Sequence, residues 1–318
     1  KKLLALVLAL VMTLSLAVVG SNAAFKDAKD VNETYSEAVD VLSGMGVFNG
    51  YKNADGTYSF QPKGDITRAE VAAIVYRLYT ADVTDKQASL YATYNKFSDM
   101  DGAAWAKGYI GYCANAGLIK GYDDKTFGPA DKVTGYQALA MILRAVGYDK
   151  NDEFTGAQWQ LRVASTAQQL GILKNVKGVD LNAAATRELV AELLFRTATV
   201  PMVSYTPAFG YVANSVVGAQ KSLGEKNFGL KEYKGYVVAN AATGENYTVV
   251  AADRKGTSSF NLDKETGLEM IGHKVSGWYD ATSAKTDKYG AKYTATVYSV
   301  NDLSTAETVL TAAELNGK

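Results

Sequence analysis

One pattern is written into this chain twice and a third time in reduced form, and it limits the fold more than any other feature. The first copy opens at Phe25-Lys26-Asp27. Tyr35, Ala38, Val39 and Leu42 then mark one helical face, and Gly44-Met45-Gly46 supplies glycines suited to a left-handed helix cap. Gly50-Tyr51, an Asp55-Gly56 turn signal and Phe60-Gln61-Pro62 follow. Asp65-Ile66-Thr67-Arg68-Ala69-Glu70 then leads into the apolar run Val71 to Leu78. About seventy residues later the order returns: Phe97-Ser98-Asp99, Trp105, Tyr109, Ile110 and Cys113, Gly117, Gly121-Tyr122, Asp123-Asp124, Phe127-Gly128-Pro129 and Thr134-Gly135-Tyr136-Gln137. A shorter third copy spans Phe154 to Thr197, with Trp159, Val163, Ala167 and Leu170, then Gly171, then Thr186-Arg187-Glu188 ahead of Val190, Leu193 and Leu194. It lacks the Gly-Tyr-Asp loop. Two helices and a loop are too little for a private core, and units repeated at long spacing bury their faces against one another. The three copies are therefore expected to pack as one body.

The start of the second helix in each copy carries the chemistry. Thr67 and Glu70 have the spacing of a capping box, in which the threonine oxygen accepts from the backbone three residues on and the glutamate reaches back. Arg68 sits in the first turn, where the helix dipole disfavours a cation by about 0.3–1 kcal/mol. Two readings fit: a solvated surface arginine, or a guanidinium that, with the helix-end N–H groups, receives an external carboxylate or phosphate. Thr134 and Gln137 keep the box, but Gly135 holds the arginine position. Thr186 and Arg187 keep the cap and the cation, but Leu189 stands where the reciprocal glutamate belongs.

The order Phe-x-Asp, aromatic-marked helix, Gly-x-x-x-Gly-Tyr, Asp-rich loop, Phe-x-Pro, Ile-Thr-Arg-Ala-Glu resembles the S-layer homology module of bacterial surface proteins. The likeness covers about Phe25 to Thr197. It implies an α-helical pseudo-threefold bundle of three repeats whose grooves bind an acidic, often pyruvylated, secondary cell-wall polysaccharide. Carried over residue by residue, it implies that Arg68, Thr67, Arg187, Tyr51, Tyr122, Asp27 and Asp99 are candidate polysaccharide contacts. The missing arginine at Gly135 implies a second groove that binds weakly or not at all. Tyr51 and Tyr122 either stack on sugar or close their loops, and Asp27 and Asp99 either line grooves or cap the next helix. Trp105 and Trp159, at the family's aromatic position, are expected in the core.

Lys1-Lys2, the apolar run Leu3 to Gly20 and the small-residue exit Ser21-Asn22-Ala23 read as a secretory signal peptide cleaved after Ala23, with an uncleaved membrane anchor as the rival. Without Lys1 and Lys2, 31 basic side chains face 33 acidic ones, and no basic patch argues for nucleic acid. Cys113 is the sole cysteine and His273 the sole histidine, so neither an intramolecular disulfide nor a Cys-His pair can form. Cys113, on an apolar helix face, is expected buried and inert.

The expected organisation is a signal peptide over 1–23, repeats over 24–80, 81–150 and 151–200, a linker over 201–229 and a small all-β barrel or sandwich over 230–318. The strands are expected at Lys234–Ala239, Tyr247–Ala252, His273–Tyr279 and Tyr293–Val300. The chain stops without a recognisable terminal signal, which suggests a fragment. No nucleophile elbow, phosphate loop, metal spacing or cofactor motif stands out, so neither catalytic nor metal residues are assigned. The favoured reading is a non-catalytic protein on the surface of a Gram-positive-type envelope, held to the wall polysaccharide and self-associating in a surface layer, with no membrane contact after signal cleavage. The alternative is the anchoring region of a larger wall enzyme, such as a glycan hydrolase, whose catalytic domain lies beyond residue 318.

Overall fold

The computed structural model describes residues 25–214, 222–244, 248–251, 259–262, 266–286, 293–305 and 309–315. The expected signal peptide lies outside these. The chain divides after Leu223 into a mostly helical unit and a β unit.

The helical unit contains three helix pairs: α1 (Glu33–Gly44) with α2 (Arg68–Thr80), α3 (Lys107–Asn115) with α4 (Gly135–Ala145), and α5 (Trp159–Gln169) with α6 (Arg187–Thr199). The turn after each pair's first helix contains a glycine at nearly the same positive φ, 73° at Gly46, 73° at Gly117 and 72° at Gly171. An L side chain is disfavoured there, and the glycine lets the chain reverse tightly out of the helix. In the first pair the reversal leads into a short hairpin of β1 (Tyr51–Lys52) and β2 (Tyr58–Ser59), turned at Asp55-Gly56.

Packing of the pairs is exchanged. Each first helix leans on the second helix of the preceding pair: α3 on α2, α5 on α4, and α1 on α6, which closes the cycle. Helix α4 also packs against α2 and α6. The buried side chains of the second helices, among them Ile74, Val75 and Leu78, Leu139, Ile142 and Leu143, and Leu193, Leu194 and Phe195, form the shared core. A smaller cycle lies at the helix starts. The Ile66 N–H donates to Ala185 O (3.1 Å), Ala185 N–H to Val133 O (2.8 Å) and Val133 N–H to Ile66 O (3.0 Å). Each residue stands just before an N-cap threonine, so three bonds fix three helix starts side by side. Ile66, Val133 and Ala185 are almost fully buried, and the cycle satisfies backbone groups that would otherwise be costly to bury.

Part of the expected linker over 201–229 is regular, and residues 215–221 of it lie outside the described residues. β3 (Val203–Thr206) and β4 (Gly210–Ala213) form a hairpin docked on the body. The Val203 N–H donates to Val146 O, Tyr211 stacks on Tyr148, and the Tyr211 hydroxyl donates to Glu153. The Gly and Pro content that signals a linker here serves a tight turn.

A short helix, α7 (Leu223–Phe228), precedes the β unit. Its strands are β5 (Leu230–Ala239), β6 (Thr248–Ala251), β7 (Ser259–Leu262), β8 (Lys274–Thr286), β9 (Tyr293–Val297) and β10 (Asn301–Asp302). β5 pairs with β6 and β8, β6 with β7, β7 in parallel with β9, and β9 with β8, so five strands close into a barrel-like sheet. β10 continues along the edge of β8. Tyr233, Val237, Val250, Leu262, Val275 and Val297 fill the interior. The four expected strands are present. β7 and β10, of four and two residues, were not expected.

Candidate functional site

The cap chemistry is as the spacing predicts. The Thr67 side chain accepts from the Glu70 N–H while Glu70 accepts from the Thr67 N–H; Thr134 and Gln137 do the same, and Thr186 accepts from Leu189 without reciprocation. The arginines that follow are not surface residues. Arg68 is 5% exposed and Arg187 3%.

Arg68 points into the loop of the second pair. Its Nε donates to Phe127 O (2.8 Å) and one Nη to Lys120 O (3.0 Å), and its guanidinium carbon lies 4.4 Å from the Tyr122 ring centre and 4.7 Å from that of Phe127. Nη1 makes no hydrogen bond and is not enclosed. Burial pulls the arginine's pKa below its ordinary value, with Tyr122 and Asp131 opposing the fall. The helix-start N–H groups are also used internally: Arg68 N–H donates to Asp131 O and Ala69 N–H to Pro129 O. They are therefore not open to an external anion. This corrects the expectation that the helix end and guanidinium together form the anion site; the guanidinium edge alone remains.

Arg187 makes the matching contact with the first pair. Nε donates to Phe60 O (2.7 Å), Nη1 to the Tyr51 hydroxyl (2.9 Å) and Nη2 to Asn49 O (2.9 Å), and the rings of Phe48, Tyr51 and Phe60 surround the guanidinium. The Tyr51 hydroxyl donates in turn to Glu70 Oε1 (2.5 Å), linking Arg187 to a carboxylate. Burial raises the Tyr51 pKa well above the usual phenol range. Glu188 ties the same junction, accepting from Lys63 (2.5 Å) and from the Asn32 N–H (2.8 Å).

At the third junction, α4 meets the shortened third unit. A Cβ on Gly135 would lie 2.6 Å from Leu181 Cδ2 and 3.1 Å from Leu181 Cα, and the Tyr136 N–H donates to Leu181 O. Leu181 occupies the path an arginine would take. The position without an arginine thus faces the unit without a Gly-Tyr-Asp loop.

Asp27 and Asp99 neither cap a following helix nor stand free. Asp27 accepts from the Phe60 and Gln61 N–H groups, and Asp99 from those of Phe127 and Gly128, so each pins its own unit's Phe-x-Pro segment. Tyr122 is 53% exposed, its ring covering Arg68, whereas Tyr51 is half-buried. Trp105 and Trp159, expected in the core, are half-buried, touching Tyr109 and Tyr136. Cys113 is fully buried, which raises its pKa, and its thiol donates to Ala72 O. Asp55 and Asp123 are occupied by their own turns: Asp55 accepts from Thr57, and Asp123 from the Lys125 and Thr126 N–H groups.

A charge network went unread in the sequence. Arg144 Nε donates to Asp149 (2.6 Å), Lys120 bridges Asp149 and Asp152, and the Phe154 N–H donates to Asp149. The network fastens the residue whose carbonyl receives Arg68. Its only sequence signal is a basic residue in the last turn of α4 followed by an acidic turn.

Residues 24–72 and 96–139 match the S-layer homology domain. The chain is 28% identical to a cell surface protein of Thermoanaerobacter kivui over 94% of its own length and 35% of that protein's. It is 30% identical to the middle cell wall protein of Brevibacillus brevis over 58% of its length and 17% of that protein's. A further relative, 30% identical over 38% of the chain and 10% of the other protein, is an exoglucanase of Acetivibrio thermocellus. The chain thus spans about a third or less of these relatives, and its likeness to the Thermoanaerobacter kivui protein reaches well into the β unit. It carries two regions that match the S-layer homology domain and is similar to bacterial cell surface and cell wall proteins.

Proposed function

We propose that residues 25–213 form a pseudo-threefold anchor that holds this protein non-covalently to an acidic secondary polysaccharide of a Gram-positive-type cell wall. The observation that carries this reading is Arg68. It lies at a junction between two regions that match the S-layer homology domain, with an unbonded Nη1 edge beside an exposed tyrosine ring. A carboxylate on a wall sugar would take a charge-assisted bond from that edge, and the Tyr122 face offers a surface for a pyranose. The Thr67–Glu70 cap and the ring of backbone bonds set the arginine's position before any ligand arrives. A pyruvate ketal is the carboxylate we expect, and self-association in a surface layer is a role for the β unit.

The test is co-sedimentation of the protein with bacterial wall sacculi before and after the secondary polysaccharide is stripped. Binding to native sacculi that disappears on stripping is expected. Binding that survives stripping would refute the polysaccharide as ligand.

A second reading keeps the anchor and changes what it carries: the chain is the anchoring region of a larger wall enzyme. The observation in its favour is the likeness to an exoglucanase over 10% of that enzyme's length. Sequencing the intact gene separates the two, since a glycosidase domain downstream supports the enzyme and its absence removes it.

A further inference from the structure

We infer that only one of the three junctions reads an anion, and that Tyr51 is the residue that withholds Arg187 from the same task. The inference rests on the anchor reading above and goes beyond it to the number and selectivity of its sites.

The three junctions are built on one plan and end in three chemical states. Between α4 and the third unit, Gly135 supplies no donor and Leu181 fills the space. Between α6 and the first unit, every guanidinium nitrogen of Arg187 has an acceptor inside the protein. Phe60 and Asn49 supply carbonyls, and the Tyr51 hydroxyl accepts from Nη1 while donating a hydrogen bond to Glu70. Each nitrogen of that cation already has an acceptor, and the group faces a carboxylate one hydroxyl away. An incoming anion would have to displace a bond already made and would meet Glu70 as a like charge.

The junction between α2 and the second unit differs at two positions. Tyr122, matching Tyr51, lays its ring on the guanidinium but takes no hydrogen bond from it, and Nη1 remains unbonded. Gln137, matching Glu70, makes the same capping box without charge. Charged groups that act on Arg68 are Asp131 and Asp99 in its favour and Arg144 against. Asp99 is held by two backbone donors, and Asp131 approaches Gly128. A 95%-buried cation with one open edge, in a body where its twin has an acceptor at every nitrogen, is the arrangement that selects an anion at one junction alone.

The experiment is isothermal titration of the whole protein with the methyl glycoside of a pyruvate-ketal hexose, with its methyl ester as the uncharged control. The wild type should bind one acid per chain and fail to bind the ester. Arg68→Lys keeps the charge but loses the fork, and affinity should fall by about tenfold or more. Arg187→Lys should stay within about twofold of wild type in affinity. Tyr51→Phe combined with Glu70→Gln keeps the ring on Arg187 and the cap at Thr67, frees Nη1 and removes the like charge, so the stoichiometry should rise from one to two; circular dichroism confirms folding of each variant. Two acids per wild-type chain, or one acid lost in Arg187→Lys but kept in Arg68→Lys, would overturn the inference while leaving the anchor in place. An unchanged stoichiometry in the Tyr51→Phe, Glu70→Gln double variant would overturn the role given to Tyr51. No binding of the acid and no sedimentation with sacculi would overturn both readings together.

Discussion

Replacing Arg187 with methionine should destabilise the helical unit strongly. The wild-type guanidinium makes three hydrogen bonds, to Phe60 O, Tyr51 Oη and Asn49 O. Bonds to a charged group contribute about 1.5–3 kcal/mol each, roughly 5–9 kcal/mol in sum. Burying the cation costs several kcal/mol, so the wild-type site gains only part of that sum. Methionine removes the cost and the bonds together, yet leaves two carbonyls and a hydroxyl facing a thioether in a nearly closed site. The expected net loss is about 3 kcal/mol, within the range for breaking a buried charged network. With a urea m-value of about 2–3 kcal/mol/M, the midpoint should fall by about 1–1.5 M. The assay is urea denaturation of the whole protein followed by helical circular dichroism. Arg187→Lys, which keeps the charge but cannot reach all three acceptors, should lose about 2 kcal/mol. A loss below about 1 kcal/mol in Arg187→Met, or a lysine variant equal to wild type, would refute the claim that this arginine clamps the third unit to the first.

Gly135→Ala should cost about 1–3 kcal/mol, because its Cβ would meet Leu181 at 2.6 Å; calorimetric melting that shows no loss would mean Leu181 moves freely. Thr67→Ala removes an N-cap and should cost about 1 kcal/mol by the same measurement. Asp99→Ala frees the Phe127 and Gly128 N–H groups, and faster amide hydrogen exchange should appear there and not at Phe60. Asp82 is pulled up by partial burial, but bonds from the Gln87 N–H, the Tyr76 hydroxyl and the Lys86 N–H outweigh this and hold its pKa below the usual carboxylate value. Its contribution is therefore complete above the ordinary aspartate range and lost as pH falls through the depressed folded value. Asp82→Asn should flatten the acid limb of the stability curve, measured by urea midpoints from neutral pH to about pH 3.

Local chemistry was readable from the chain alone. The capping boxes at Thr67 and Thr134, the helix-ending glycines and the Asp55-Gly56 turn each depend on a few adjacent residues, and each is where the spacing put it. What the sequence could not show was where the arginines point. Arg68 reaches acceptors 52 and 59 residues away and Arg187 reaches acceptors 127 to 138 residues away, so no local pattern encodes either orientation. The dipole argument correctly marked a cation at a helix start as unusual, but the compensation is internal: carbonyls and aromatic faces of a neighbouring loop. Barrel closure was hidden for a similar reason. It depends on a parallel pairing between β7 and β9 that joins residues more than thirty apart through a two-pair register. The 203–213 hairpin was hidden because its short strands are recognisable only once Tyr148 and Val146 are present to receive it.

The closure of α1 onto α6 has a consequence for the order in which the chain can fold. Tyr35, Val39 and Leu42 are made early, but the surface that covers them includes a helix ending at Thr199. The first loop is in the same position, since Phe60 O and Asn49 O wait for a guanidinium more than 120 residues downstream. Until that helix emerges, the leading segment is an amphipathic helix with no partner. The native body thus closes only once that helix is available. Removing the first forty or so residues from the finished protein would not trim an end. It would open the ring at its seam.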